Sequence, residues 1–281
     1  MRRSARWVIE LMAKREGELT VPAVIVGREF TEPVEITVEP ADTIPADSRD
    51  VQLEVEVDNR TPYVQGQIIY TVRLMHRVQI DNASLTEPRV TGADVVIERL
   101  GDDVVYETRR DGNRIAVVER RYAMFPQSST RFTIEPLLLE GRIADNRSFG
   151  FGFGGRGRVF RVRSDAIEVE ARPVPPGFSG SSWLPAGRLL LSETAPDSNQ
   201  RYRAGEPFTR TLTLQATGLS SSQLPEIGAS APAGIKQYPD QPVLENRFED
   251  DGLVAVRQEK IALIPSAAGT YTLPAIEIPW W

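Results

Sequence analysis

Two stretches of this chain carry the same landmarks in the same order, and that periodicity limits the available folds more than any other feature. Gly66, Pro88, Asp111-Gly112, Pro126 and Pro136 are followed by Gly205, Pro225, Asp251-Gly252, Pro265 and Pro274, at separations of 139, 137, 140, 139 and 138 residues. The residues around these landmarks agree too, since Tyr122-Ala123-Met124-Phe125-Pro126 lines up with Ile261-Ala262-Leu263-Ile264-Pro265. A domain is therefore repeated. The stretch Glu16 to Val26 resembles Ala268 to Ile278, so a partial copy is expected to open the chain with its own beginning absent.

Each copy reads as strands. In Val51-Gln52-Leu53-Glu54-Val55-Glu56-Val57 every apolar residue falls on one face, because strand side chains alternate with period two. Similar runs are Val34 to Val38, Ile68 to Leu74, Asp94 to Arg99, Val104 to Thr108, Arg114 to Glu119, Val159 to Val169, Leu189 to Ser192, Thr209 to Gln215, Leu253 to Ile264 and Tyr271 to Ile278. No long segment carries a helical stripe, and 21 prolines with 21 glycines punctuate the runs at short intervals. Asp-Gly in each copy marks a hairpin turn. The expected fold is all-β, as tandem immunoglobulin-like β-sandwich repeats. The expected organisation is the C-terminal part of a first repeat over 1–44 and a complete repeat over 45–172. A Pro/Gly/Ser linker over 173–185 then leads to a further repeat over 186–281 that lacks its last strand.

Composition removes much familiar chemistry. With no cysteine there is no disulfide framework, thiolate zinc site or cysteine nucleophile. His76 is the one histidine, so a two-histidine metal site is impossible and a Ser-His-Asp triad would have to use that ring. The balance of 33 Lys+Arg against 39 Asp+Glu gives −6, a poor match for a polyanion, and nucleic acid is not an expected partner. No run approaches the ~20 apolar residues of a membrane-spanning helix.

The motifs Trp183-Leu184-Pro185-Ala186, Gly205-Glu206-Pro207-Phe208-Thr209-Arg210, Gln223-Leu224-Pro225, Tyr238-Pro239-Asp240-Gln241-Pro242 and Leu273-Pro274 to Trp280-Trp281 occur in that order. The middle copy adds Glu119-Arg120-Arg121 before Tyr122 to Pro126. Together they resemble the BatD family, the aerotolerance or "oxygen tolerance" group of bacterial envelope proteins, along essentially the whole chain. The resemblance implies periplasmic immunoglobulin-like repeats anchored to the inner membrane. It also implies a signal peptide and a membrane anchor outside this fragment, whereas the expectation that the fragment itself is soluble comes from its lack of a long apolar run. The implied partners are von Willebrand A-domain membrane proteins and a MoxR-type ATPase system active in envelope stress. It supplies no catalytic residues, and no cofactor or metal is expected.

Gly152 to Gly157 matches GxGxxG, but Arg158 to Arg163 follows it with strand alternation where a dinucleotide site needs a helix N-terminus. The bland reading is a Gly-rich loop between strands. The functional one is a protein-docking loop bearing Phe149, Phe151, Phe153, Arg156 and Arg158, since nothing obliges those rings to be core. Asp102-Asp103 and Glu249-Asp250-Asp251 fit turn chemistry better than calcium ligation. Trp7, Trp183, Trp280 and Trp281 lie at copy ends and linker borders, where packing between modules suits large rings. Two functions are weighed. The first is a non-enzymatic scaffold offering faces, edges and loops to protein partners. The second is a carbohydrate-binding or hydrolytic β-sandwich, which requires exposed aromatics along a sheet face and a carboxylate pair in a cleft.

Overall fold

The computed structural model describes residues 13, 15, 17–27, 29–38, 50–110, 112–143, 158–194, 201–249 and 252–281. Among them the chain is built of antiparallel strands with short 3-10 turns, one of them Ser221–Gln223, and no α-helix. No helix there is long and apolar enough to cross a membrane. Met1–Gln52 and Leu53–Trp281 are separate compact units.

In the first unit, β1 (Gly17–Val21) pairs β4 (Val34–Val38) from Gly17↔Val38 to Val21↔Val34. Between them lies the small hairpin β2 (Ile25–Val26) with β3 (Glu29–Phe30).

The next repeat opens with β5 (Val51–Val57), β6 (Ile68–His76), β7 (Ile80–Leu85), β8 (Val90–Thr91), β9 (Val95–Arg99) and β10 (Val104–Arg110). It continues through β11 (Asn113–Pro126), β12 (Arg131–Ile134), β13 (Leu138–Ile143), β14 (Arg158–Arg163) and β15 (Ile167–Glu170). One layer is β5-β6-β11, with β9 and β10 sharing the far edge of β11. The other consists of β15-β12-β8 and β14-β13-β7. Alternation fills the space between them with Ile68, Tyr70, Val72, Tyr122, Met124, Phe132, Ile134, Leu137, Leu139, Ile167 and Val169.

The last repeat holds β16 (Arg188–Thr194), β17 (Phe208–Thr217), β18 (Ile235–Pro239), β19 (Val243–Glu249) and β20 (Gly252–Pro265). Its sheet repeats the first layer of the preceding repeat strand for strand: β16-β17-β20, with β18 and β19 sharing the far edge of β20. The register repeats as well. Ile68↔Met124, Val95↔Pro126, Val104↔Glu119 and Arg110↔Asn113 recur as Phe208↔Leu263, Ile235↔Pro265, Val243↔Gln258 and Glu249↔Gly252.

Two details depart from the sequence reading. The left-handed residue before β17 is Gly205 (φ 85), whose N–H bonds Pro265 O at 2.8 Å. Its counterpart before β6 is Gln65 (φ 63), bonded to Pro126 O at 2.7 Å, and not Gly66. The glycine landmark was thus one residue out of register, because a non-glycine residue takes the strained position in this copy. The second departure is the run Tyr271 to Ile278, which is not a strand. Pro274 and Pro279 interrupt its donors, and no neighbouring strand among the described residues offers a ladder. The second layer of this repeat is instead irregular: Leu184, Leu219, Leu224 and Ile227 are buried against Leu212, Leu214, Ala255, Ile261 and Leu263. A largely buried pair pins it, for Arg257 Nε donates to Glu259 Oε1 at 2.7 Å, and that same oxygen accepts Ile227 N–H at 3.2 Å.

These two repeats interlock. Ala123 and Phe125 face away from their own core, yet they are buried, together with Leu100, by Leu253 of the following repeat, and half-buried Ile69 packs against them. Gln67 Oε1 accepts Leu253 N–H at 2.8 Å, and Gly218 N–H bonds Leu253 O at 2.7 Å. Gly252 has φ 110, and a Cβ there would overlap the Gln67 amide and Ile69 Cδ1. Leu253→Ala should therefore cost about 2–5 kcal/mol. Gly252→Ala should cost at least ~2 kcal/mol through strain and overlap. Urea unfolding measures both, and Val105→Ala on an exposed edge should stay within ~0.5 kcal/mol of the parent.

Candidate docking surfaces

The residues singled out in the Gly-rich loop, Phe149, Phe151, Phe153 and Arg156, lie outside the described residues, as does Trp7. Arg158 opens β14, where its backbone pairs with Ile143. Of the arginines beside it, Arg161 is paired with Glu140 at 2.7 Å.

Other candidates are occupied in structure. His76 Nδ1 lies 2.8 Å from Val78 O, a contact within its own turn. Asp103 accepts Arg120 Nε and Nη2 at 2.8 Å each and Arg99 Nη2 at 2.9 Å, and this pairing, Arg120 foremost, holds its carboxyl below the usual range. Asp102-Asp103 is thus an ion-paired turn. Glu249 ends β19, while Asp250 and Asp251 lie outside the described residues. No group of three or more potential metal ligands forms among the described residues.

Aromatic residues gather where the two repeats meet. Tyr63 packs edge-on against Trp183 and Trp281, with ring centroids 5.8 and 6.2 Å away, and Phe178 packs edge-on against Trp183 at 4.9 Å. Arg172 caps the Tyr63 ring, with Cζ 4.1 Å from its centroid. Trp183 Nε1–H donates to Val64 O at 2.8 Å, and Trp281 N–H bonds Leu184 O at 3.0 Å. Side chains bridge the joint nearby: Gln223 Nε2 donates to Gln65 O at 2.9 Å, and Asn246 Nδ2 to Glu98 Oε2 at 3.1 Å. The stretch 173–185 is therefore held by ring packing, with Gly180 against Phe178 and Pro279. A cleft of about 710 Å³ opens beside these rings, lined by Asn59, Tyr63, Gln67, Arg172, Glu249 and Trp281 among others.

The second surface is the free edge of each main sheet. All seven residues of β10 are exposed, including Val104 (55%), Val105 (71%) and Tyr106 (39%). At the same place in the next repeat, β19 exposes Val243 (56%), Leu244 (47%) and Phe248 (53%). Each pairs on one side only among the described residues, with β11 and β20 respectively. Charges guard only part of β10: Arg110 pairs with Glu54 at 2.6 Å and Glu107 with Arg114 at 3.2 Å, while Tyr106 OH donates to Glu119 Oε2 at 3.3 Å, leaving Val104 and Val105 as its uncharged exposed end. The alternation of Val104 to Thr108 marks β10 as a strand, whereas β19 is absent from the runs read from the sequence, and edge position is a property of the sheet and not of the strand.

No family model and no curated protein sequence matches this chain. Among solved structures, one similar chain is the type II cohesin dyad from the adaptor ScaA scaffoldin of Acetivibrio cellulolyticus. It is 7% identical, with 78% of this chain and 86% of that chain covered and a TM-score of 0.24. Trp183→Phe keeps a ring against Tyr63 and Phe178 but leaves Val64 O without its donor. Its unfolding free energy should fall by about 1–2 kcal/mol in chemical denaturation.

Proposed function

We propose that this chain is a non-enzymatic interaction scaffold whose sheet edges bind protein partners. The observation that carries the reading is the pair of free sheet edges, β10 and β19, each with exposed apolar residues beside its charged ones and both placed at the same register position on two interlocked repeats. An unpaired edge offers a row of backbone donors and acceptors to an incoming strand, and exposed valine, leucine and tyrosine beside that row add apolar contact. Interlocking supports the reading, because edges on a joint clamped at Leu253 and Trp183 keep a fixed spacing and a partner orders little on binding. The motif resemblance to BatD adds the setting: the periplasm, inner-membrane anchoring in the whole protein, and von Willebrand A-domain proteins of a MoxR ATPase system as partners.

The test is titration of a purified A-domain partner onto the chain. Val105→Lys and Leu244→Lys each place a charge on an exposed edge position without emptying a core, so melting should be unchanged while affinity drops roughly tenfold or more. An A domain that does not bind, or binds the edge variants as tightly as the parent, overturns the proposal.

A second reading, saccharide binding, is favoured by the junction cleft, which sets the half-exposed ring of Trp281 beside Asn59, Gln67, Arg172 and Glu249. Binding of an oligosaccharide that is lost in Trp281→Ala, with no protein partner retained, would put this reading first.

A further inference from the structure

β19 turns alternate backbone groups away from its own sheet. Gly218 N–H bonds Leu253 O at 2.7 Å, so Leu253 points its backbone groups toward β17, and its neighbours Gly252 and Val254 point theirs toward β19. Through the register Glu249↔Gly252, Arg247↔Val254 and Glu245↔Val256, the odd-numbered residues of β19 are therefore the ones bonded to β20. The N–H and C=O groups of Leu244, Asn246 and Phe248 face the open side, and no other described residue bonds these backbone groups. Side chains follow the same alternation. Leu244, Asn246 and Phe248 share the face of the core residue Ala255, whereas Glu245 and Arg247 lie on the opposite face and pair with each other at 3.0 and 3.1 Å.

About a two-fold axis at Asn246, the strand Val243-Leu244-Glu245-Asn246-Arg247-Phe248-Glu249 complements itself. Antiparallel pairing of two copies sets Leu244 opposite Phe248 and Glu245 opposite Arg247, each contact occurring twice, and leaves only Val243 opposite Glu249 without a match. The ladder groups agree with that register, because Leu244, Asn246 and Phe248 of one copy meet the same three residues of the other. Glu245 and Arg247 then fall at the positions without ladder bonds, where facing side chains are closest. Charge also selects the register. An axis at Glu245 puts that carboxylate opposite its own copy, and an axis at Arg247 does the same to the guanidinium and faces Glu245 with Glu249. The edge is accessible as well, since Leu244 and Phe248 are exposed and Asn246 alone in the strand is half-buried.

We propose that β19 is a self-association site, and that two copies of this chain join edge to edge through antiparallel β19 strands centred on Asn246. The interface is two-fold and self-complementary, and it runs the main sheets of two last repeats into one. Two Leu244–Phe248 contacts lie on its inner face, and the four charges of Glu245 and Arg247 alternate in sign on its outer face. The proposal rests on the reading of the sheet edges as docking sites and names a second copy as the occupant of β19. A partner strand and the second copy compete at β19, and β10 remains open to the partner either way.

Sedimentation equilibrium of the whole chain, alone and over roughly 1 µM to 1 mM, should give a mass that rises toward two chains, as fits so small an interface. Glu245→Arg and Arg247→Glu each set like charges opposite one another, and each should weaken the dimer about tenfold or more with melting unchanged. An equimolar mixture of those two variants should recover a one-to-one dimer, because one chain carries two cations where the other carries two anions. The double variant should dimerise as the parent does. Leu244→Pro removes an open-side N–H without touching the bonds to β20 and should leave a folded monomer, whereas Val105→Lys on β10 should keep the dimer. A chain that stays monomeric, single charge variants that dimerise like the parent, a mixture that does not associate, or loss of the dimer in Val105→Lys would overturn the proposal. Titration with the A domain separates the two readings. A monomeric chain that still binds it at an edge sinks self-pairing alone, and a dimer that does not bind it sinks the partner reading alone.

Discussion

The structure of Leu53–Trp281 depends on the insertion of Leu253 against the back of the preceding sheet. A strand whose outer face is wet alternates buried and exposed residues, but Tyr122, Ala123, Met124 and Phe125 of β11 are all buried. Tyr122 and Met124 belong to the sandwich core. Ala123 and Phe125 are buried because Leu253 lies on them, aligned by the Gln67 amide and approached closely because Gly252 has no side chain. One hairpin end thus turns two independent sandwiches into a pair with fixed geometry. The ring cluster of Tyr63, Trp183 and Trp281 and the amide of Gln223 hold the same joint at other points.

Much of this was legible in the chain itself, and what was hidden follows from particular residues. Period-two alternation located most of the main-sheet strands, β5, β6, β9, β10, β11, β16, β17 and β20, but passed over β7, β8, β12, β13, β18 and β19 and ran β14 and β15 together; the spacing of prolines and Asp-Gly pairs anticipated a repeat whose ladder register recurs. Tyr122 to Phe125 served in the sequence only as a landmark of the repeat, and nothing there says which element covers the outer face of Ala123 and Phe125. The left-handed position at Gln65 was concealed because glycine was the expected marker and Gly66 stood next to it. Tyr271 to Ile278 alternates as a strand should, yet strand formation is a property of pairs, and alternation alone provides no partner. The tryptophans at copy borders were informative because so large an indole with one N–H is most readily accommodated between modules, where Trp183 finds both rings and the Val64 carbonyl. The stretch Phe149 to Arg156, expected from the sequence to dock a partner, lies outside the described residues, so the surfaces argued from structure are different ones.

Charged side chains with the look of chemistry serve the fold. Arg210 is buried in β17 and meets Glu193 through two bonds of 2.7 and 3.1 Å, and Arg120 closes on Asp103 in the same two-pronged way. Planar guanidinium and carboxylate groups match each other in such pairs, so burial is tolerated where a lone charge would not be. The Arg257–Glu259 pair goes further, since Glu259 also receives a backbone N–H from the irregular layer. An ion pair there does part of what a ladder of strands does in the preceding repeat.

The register of the main sheet is copied from one repeat to the next, although its central pair joins distant segments: Ile68 pairs with Met124, and Phe208 with Leu263. In the preceding repeat the second layer is paired by β15 and β14, which follow β12 and β13 along the chain. In the last repeat, side-chain bonds and half-buried Leu273, Ile276 and Ile278 stand where paired strands stood before. Each main sheet is paired through its interior and left open at one edge, β10 or β19, among the described residues. That asymmetry separates what this fold uses to stay together from what it has left to offer a partner.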